Sequence, residues 1–181
     1  MHINARSINK NIETIDQMLS SLRISFDIIG IRETWISETN DLIQMEDYHL
    51  ICNGRKNRKG GGVGLYIKDD RNYQVRKDLS IYNKDIMESL FIEIIREKNK
   101  NIIVGVIYRA PDSDGRCILE EITEITGKVN VEIKNCYLLG DFNIDLLGAK
   151  NSDIPCKFLA VILICLDTNV MQMRFIAIHP F

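Results

Sequence analysis

The sequence predicts a layered α/β fold, with mixed, largely antiparallel sheets flanked by helices. Three observations carry that expectation. Apolar runs of strand length recur at FDIIGI (26–31), YHLIC (48–52), VGLYI (63–67), SLFIEII (89–95), NIIVGVIY (101–108) and CYLLG (136–140), several apolar enough to be buried on both faces. Helical spacing marks two other stretches. The runs at 89–95 and 101–108 are joined through the polar stretch EKNKN, which suits an antiparallel hairpin and argues against a purely parallel sheet.

Taken in order, the chain opens on HIN, a short strand ending at Asn4. Ile12, Ile15, Leu19 and Leu22 then step by three, four and three, a helix with Ser7, Asn9 and Asn11 as candidate caps. GGGVGLYIK (60–68) resembles a phosphate-cradling loop at first sight. No Lys-Ser/Thr follows and no helical pattern begins there, so its glycines are read as opening a strand tightly. Ile118, Ile122, Ile125 and Val129 give the second helix, with Gly127 an imperfect fit. FLAVILICL (158–166) is nine residues long. A membrane-spanning helix needs about 20, so this run is read as a core segment and no membrane association is expected. Beyond Leu147 no clear period remains.

Bulk composition fits one globular domain. Of 181 residues, 45% are hydrophobic and 27% charged, enough to bury a sizeable core. The formal net charge of −2 does not select a partner. Arg55, Lys56, Arg58 and Lys59 form a local basic run, usually a solvated loop and here also a candidate phosphate contact. The five cysteines are scattered and form no C-x-x-C, which suits small buried thiols in a reducing compartment.

The chemistry gathers where strands run out. HIN ends at Asn4, DIIGIRE at Glu33, IIVGVIY at Tyr108 and YLLGD at Asp141, with Asn143 just beyond. Ligands of layered α/β folds collect at such strand ends. Alternation along a strand puts Asp141 and Asn143 on one face and turns Phe142 toward the core. A single carboxylate such as Glu33, completed by water and substrate oxygens, suits Mg²⁺. Asp141 could orient or deprotonate an attacking water, while amide and phenol donors hold charge on phosphoryl oxygens. Together these groups point to metal-assisted hydrolysis of a phosphate ester.

HINARSI, IRETWI, GGGVGLYIK, GVIYRAP and GDFNIDL occur in this order. They resemble the endonuclease/exonuclease/phosphatase superfamily, and most closely the apurinic/apyrimidinic-like endonuclease domain of non-LTR retrotransposons. The resemblance covers residues 2 to about 148. It implies a deoxyribonuclease-like fold, Mg²⁺ with Mn²⁺ as an alternative, and DNA nicking through contacts to the phosphate backbone. Asn4 would help hold the carboxylates and the metal, Glu33 would be the main metal ligand, and Tyr108 would contact the scissile phosphate. Asp141 would position or activate the water, and Asn143 would bind a phosphoryl oxygen. Arg109, with Arg55, Lys56, Arg58 and Lys59, would touch DNA. Glu88 stands where such elements often carry a glutamate, although an ordinary strand-start charge is the commoner reading.

The family pattern continues to a Ser-Asp-His type signature, and no such motif follows GDFNIDLL. His179 has no aspartate before it and is not mapped. Residues 1–148 are therefore expected to be an incomplete domain, trimmed at both ends, and 149–181 a divergent tail. The expected setting is intracellular, nuclear or cytoplasmic, in a polyprotein with a reverse-transcriptase region. Two alternatives stay open: a catalytically inactive remnant, and a phosphatase of the same superfamily acting on a phosphoinositide or another phosphomonoester.

Overall fold

Two sheets meet through their inner faces and each carries one helix outside, in a computed structural model that describes residues 1–36, 43–53, 60–83, 85–110, 113–142, 153–154, 157–158 and 171–173. In chain order the elements are β1 (His2–Asn4), α1 (Ile8–Ser21), β2 (Ile28–Arg32), β3 (Tyr48–Asn53), β4 (Val63–Lys68) and β5 (Tyr73–Val75). They continue with β6 (Tyr82–Asn83), β7 (Met87–Ile94), β8 (Ile102–Arg109), α2 (Gly115–Glu132), β9 (Asn135–Asp141) and β10 (Met171–Met173). The first sheet has the order β1-β2-β4-β3 and the second β10-β9-β8-β7-β5, with β6 also on β7. β1 runs parallel to β2, and β10, β9 and β8 run parallel to one another. The remaining pairings are antiparallel, including the β7–β8 hairpin.

Period-two alternation divides the apolar side chains into three cores. Val63, Leu65 and Ile67 of β4 meet Leu90, Ile92, Val104, Val106 and Leu139 between the sheets. On the outer face of the second sheet, Phe91, Ile103 and Ile107 pack against Ile118, Ile122, Ile125 and Val129 of α2. Ile3, Ile29 and Ile31 pack outward against Ile8 and Ile15 of α1. The layers thus run helix, sheet, sheet, helix, as the mixed pattern of strands and helices predicts.

All six longer apolar runs form strands, while β5 and β6 are too short to leave a pattern in the sequence. The helix caps differ from expectation. Ser7 takes the N-cap position of α1 at φ 86° and makes no side-chain cap bond. Instead Ser7 N donates to Glu33 O at 2.9 Å and Ile8 N to Thr34 O at 3.0 Å. Asn11 turns its amide back to Ala5 O at 2.8 Å. Asp114, whose side chain accepts from Arg116 N, caps α2, and Gly127 sits inside that helix with open space around it. Of the three described cysteines Cys136 is buried, Cys117 is half-buried and Cys52 is exposed, so the buried-thiol expectation holds for Cys136. In the tail, Phe158 is buried against Phe142 with ring centroids 5.0 Å apart, and β10 adds to the edge of β9. The rest of 158–166 lies outside the described residues. No described helix is long and apolar enough to cross a membrane.

β7 carries Glu93 in an otherwise apolar run, 2% exposed on the α2 side of the sheet. Its carboxylate accepts from Lys134 Nζ at 2.7 Å, Asn101 Nδ2 at 2.8 Å, Arg76 Nη1 at 2.9 Å and Gln74 Nε2 at 3.3 Å. Burial pushes this carboxyl up, but the bonds from Lys134, Asn101 and Gln74 outweigh it and bring the pKa down to about 2. A depressed folded-state pKa stabilises the fold above the unfolded value of 4.5 and loses that stabilisation as pH falls toward 2. Denaturant unfolding across that window should show a loss on the order of 3 kcal/mol. Glu93→Gln should be less stable at neutral pH and should lack most of this acid dependence.

Candidate active site

Parallel pairing of β1 with β2 puts Asn4 in register with Arg32, beside Glu33. Asn4 Nδ2 donates to Glu33 Oε1 at 3.0 Å, and Asn4 Oδ1 accepts from Arg6 N at 3.2 Å. Both ends of the amide are engaged, so Asn4 holds the carboxylate in place. Glu33 itself has a φ of 53°, left-handed backbone that a residue with a Cβ adopts at a cost. The chain on either side over-determines that conformation. The Glu33 carbonyl caps α1 through Ser7 N, Thr34 N donates to Gly62 O at 3.3 Å and Trp35 N to Gly61 O at 3.1 Å.

Gly60, Gly61 and Gly62 all have positive φ, between 70° and 91°. A Cβ at Gly62 would stand 2.4 Å from Thr34 Oγ1, so that position needs glycine on both conformational and steric grounds. Gly62 N donates to Glu88 Oε2 at 2.6 Å, and Glu88 is 1% exposed. The bond joins the first sheet's turn to a strand of the second sheet. The glycines therefore do more than open β4: they carry the fastening of the Glu33 loop.

Glu88 is in register with Tyr108 across β7 and β8, and Tyr108 with Asp141 across β8 and β9. Tyr108 is buried in the core between the sheets. Arg32, buried at the end of β2, connects the two sheets electrostatically. Burial pushes its guanidinium down, while Glu33 and Tyr108 draw it up and Arg6 opposes them. The ends of β1, β2 and β8 thus converge, and the backbone of Asp141 ends β9 beside them. Phe142 is buried toward α2, as alternation predicts. At Gly140 a Cβ would stand 2.3 Å from Ile107 O, which explains the glycine before Asp141. A cleft of about 200 Å³ opens between β1 and α1, lined by Asn4, Arg6, Asn11, Thr14 and Met18.

Arg109 is not an exposed contact of the kind predicted. It is buried, with Nε donating to Ser113 Oγ at 3.0 Å and Nη1 to Phe142 O at 3.3 Å, so its guanidinium ties the loop after β8 to the end of β9. Asn143, Arg55, Lys56, Arg58 and Lys59 lie outside the described residues. Arg32 and the Glu88–Gly62 bond are additions to the predicted set. The sequence signal for both is a charged residue at the buried end of an apolar strand, which needs a partner.

No protein-family model matches the sequence, and no curated protein matches it. Solved structures do. The endonuclease domain of TRAS1, a telomere-specific non-LTR retrotransposon, superposes with a TM-score of 0.65 at 15% identity, over 91% of this chain and 68% of that one. The AP endonuclease LMAP from Leishmania major gives 0.69 at 10% identity, over 94% and 69%. The chain shares a deoxyribonuclease-like fold with these enzymes. Within this deoxyribonuclease-like fold a further match is the 3'-5' exonuclease NExo from Neisseria meningitidis, with a TM-score of 0.56 at 19% identity over 92% and 70%.

Removing the buried acceptor tests the fastening. Glu88→Ala should cost about 1–3 kcal/mol in denaturant unfolding by stranding the Gly62 N–H. Glu88→Gln keeps an acceptor oxygen and should recover most of that loss.

Proposed function

We propose that the protein is a metal-dependent phosphodiesterase that nicks DNA. The observation that carries this reading is the Asn4–Glu33 pair, fixed at 3.0 Å where the ends of β1, β2 and β8 converge. The fold it shares with an endonuclease domain, an AP endonuclease and an exonuclease supports the same chemistry.

The donor set suits a hard cation. Among the described residues no group of three His, Cys, Asp or Glu side chains gathers, so a metal here would rest on Glu33, water and substrate oxygens. That arrangement fits Mg²⁺, or Mn²⁺ in its place, which keeps much of its hydration. When bound, the ion supplies positive charge to the phosphoryl oxygens. Glu33 would hold it, and Asn4 would keep the Glu33 carboxylate aimed. Tyr108 and Asn143 would donate hydrogen bonds to phosphoryl oxygens, and Asp141 would orient the attacking water and take its proton. Arg32 would place a positive charge beside the Glu33 carboxylate.

The order of the sequence motifs and the likeness to a retrotransposon endonuclease domain favour a mobile-element setting, with a reverse-transcriptase region as partner and nuclear DNA as target. A second reading keeps the fold without the turnover, a remnant with little activity.

Relaxation of supercoiled plasmid with Mg²⁺ decides between them. The nuclease reading expects nicking that Glu33→Ala lowers by about 100-fold or more; no Glu33-dependent nicking would support the remnant. Replacing Arg55, Lys56, Arg58 and Lys59 by serine should flatten the salt dependence of DNA binding by up to roughly 3 to 4 in log–log slope. An unchanged slope would exclude that run from the interface.

A further inference from the structure

Trp35 is the one tryptophan of the sequence, and it is 40% exposed. Its neighbours differ: Thr34 is buried and Ile36 half-buried. A large aromatic left in solvent is informative when its backbone is also strained. Trp35 has a φ of 54°, and its amide is fastened to Gly61 O at 3.1 Å. The left-handed backbone at Glu33 and Trp35 is held by the same triglycine turn. Among the described residues the indole makes no hydrogen bond and no ring stack.

The opposite side of the site repeats the feature. Tyr82 of β6 is 45% exposed and stands in register with Glu88, which stands in register with Tyr108. Neighbouring strands lie about 4.8 Å apart, so Tyr82 is roughly 10 Å from Tyr108 along one row. Trp35 lies two residues from Glu33, at most about 7 Å along the chain. One exposed aromatic thus follows Glu33 at the end of the first sheet, and another edges the second sheet in the row of Glu88 and Tyr108.

We infer that Trp35 and Tyr82 bracket the site and stack on nucleobases flanking the phosphate held at Glu33. The inference rests on the phosphodiesterase reading and adds how the strand is gripped. Protein partners dock on contiguous apolar patches. Here polar groups lie close by in the chain or in register: Glu33 is two residues from Trp35, Asn83 follows Tyr82, and Glu88 pairs with Tyr82. Flat rings separated by a phosphate-binding centre suit the π-faces of successive bases, and such stacking tolerates any sequence.

The single tryptophan is its own probe. With EDTA present to prevent turnover, a short single-stranded DNA oligonucleotide should quench Trp35 fluorescence. An oligomer of abasic sugar-phosphate units of the same length should bind more weakly and quench little. Trp35→Ala and Tyr82→Ala should each weaken binding of the base-containing strand roughly 5- to 100-fold, while Trp35→Phe and Tyr82→Phe retain most of it. Binding by the abasic oligomer equal to that of DNA, alanine variants that bind like the parent, or no DNA binding at all would each overturn the inference. The plasmid assay separates the two readings. Glu33-dependent nicking with base-independent binding removes the stacking and leaves the hydrolysis; base-dependent quenching without nicking does the reverse.

Discussion

The hydrogen bond from Gly62 N to Glu88 Oε2 crosses from one sheet to the other at the end where the functional groups gather. A buried carboxylate without such a partner would be costly, and a buried backbone N–H without an acceptor likewise. Each solves the other's problem. From that bond the order passes along the chain: Gly62 and Gly61 offer their carbonyls to Thr34 and Trp35, and the intervening loop holds Glu33 in its left-handed conformation. The Glu33 carbonyl then caps α1, so the first helix, the triglycine turn and the candidate metal ligand form one mechanical unit.

β7 shows how the same residue type serves two ends of a molecule. Alternation sends Glu88 toward the space between the sheets and Glu93 toward α2. Five residues of strand separate them, about 17 Å. Glu93 is neutralised by Lys134 and Arg76, with Arg76 also paired to Glu132 and Asp78, so this cluster ties β7 to the end of α2. Glu88 instead accepts a backbone amide, while the half-buried Glu33 carboxylate accepts from the Asn4 amide. Charge is neutralised at the end that stabilises and left available at the end proposed to act.

Much of this was legible in the residues. Long apolar runs fixed β2, β3, β4, β7, β8 and β9, and helical spacing fixed α1 and α2, because burial on a sheet face or helix stripe imposes its period on the sequence. Asn4, Glu33 and Tyr108 stood out as polar groups closing apolar strands; the structure bonds Asn4 to Glu33 and couples Tyr108 to the adjacent Arg32. Register and tertiary capping were hidden. Ser7, Asn9 and Asn11 advertise a helix start, yet the α1 amides are met by carbonyls some 26 residues along the chain. Arg109 resembled an exposed basic residue in the sequence and is turned inward by Ser113 and Phe142. Glu88 gave an ambiguous signal, since a strand-start charge and a bridge between sheets look alike in one dimension.

The converging strand ends are proposed to form a site for a hard divalent cation centred on Glu33. Crystals soaked in Mn²⁺ and measured at its absorption edge test this directly. An anomalous peak is expected roughly 2.0–2.2 Å from a Glu33 carboxylate oxygen, absent from Glu33→Gln crystals. Ordered Mn²⁺ elsewhere on the molecule, with none at Glu33, would contradict it.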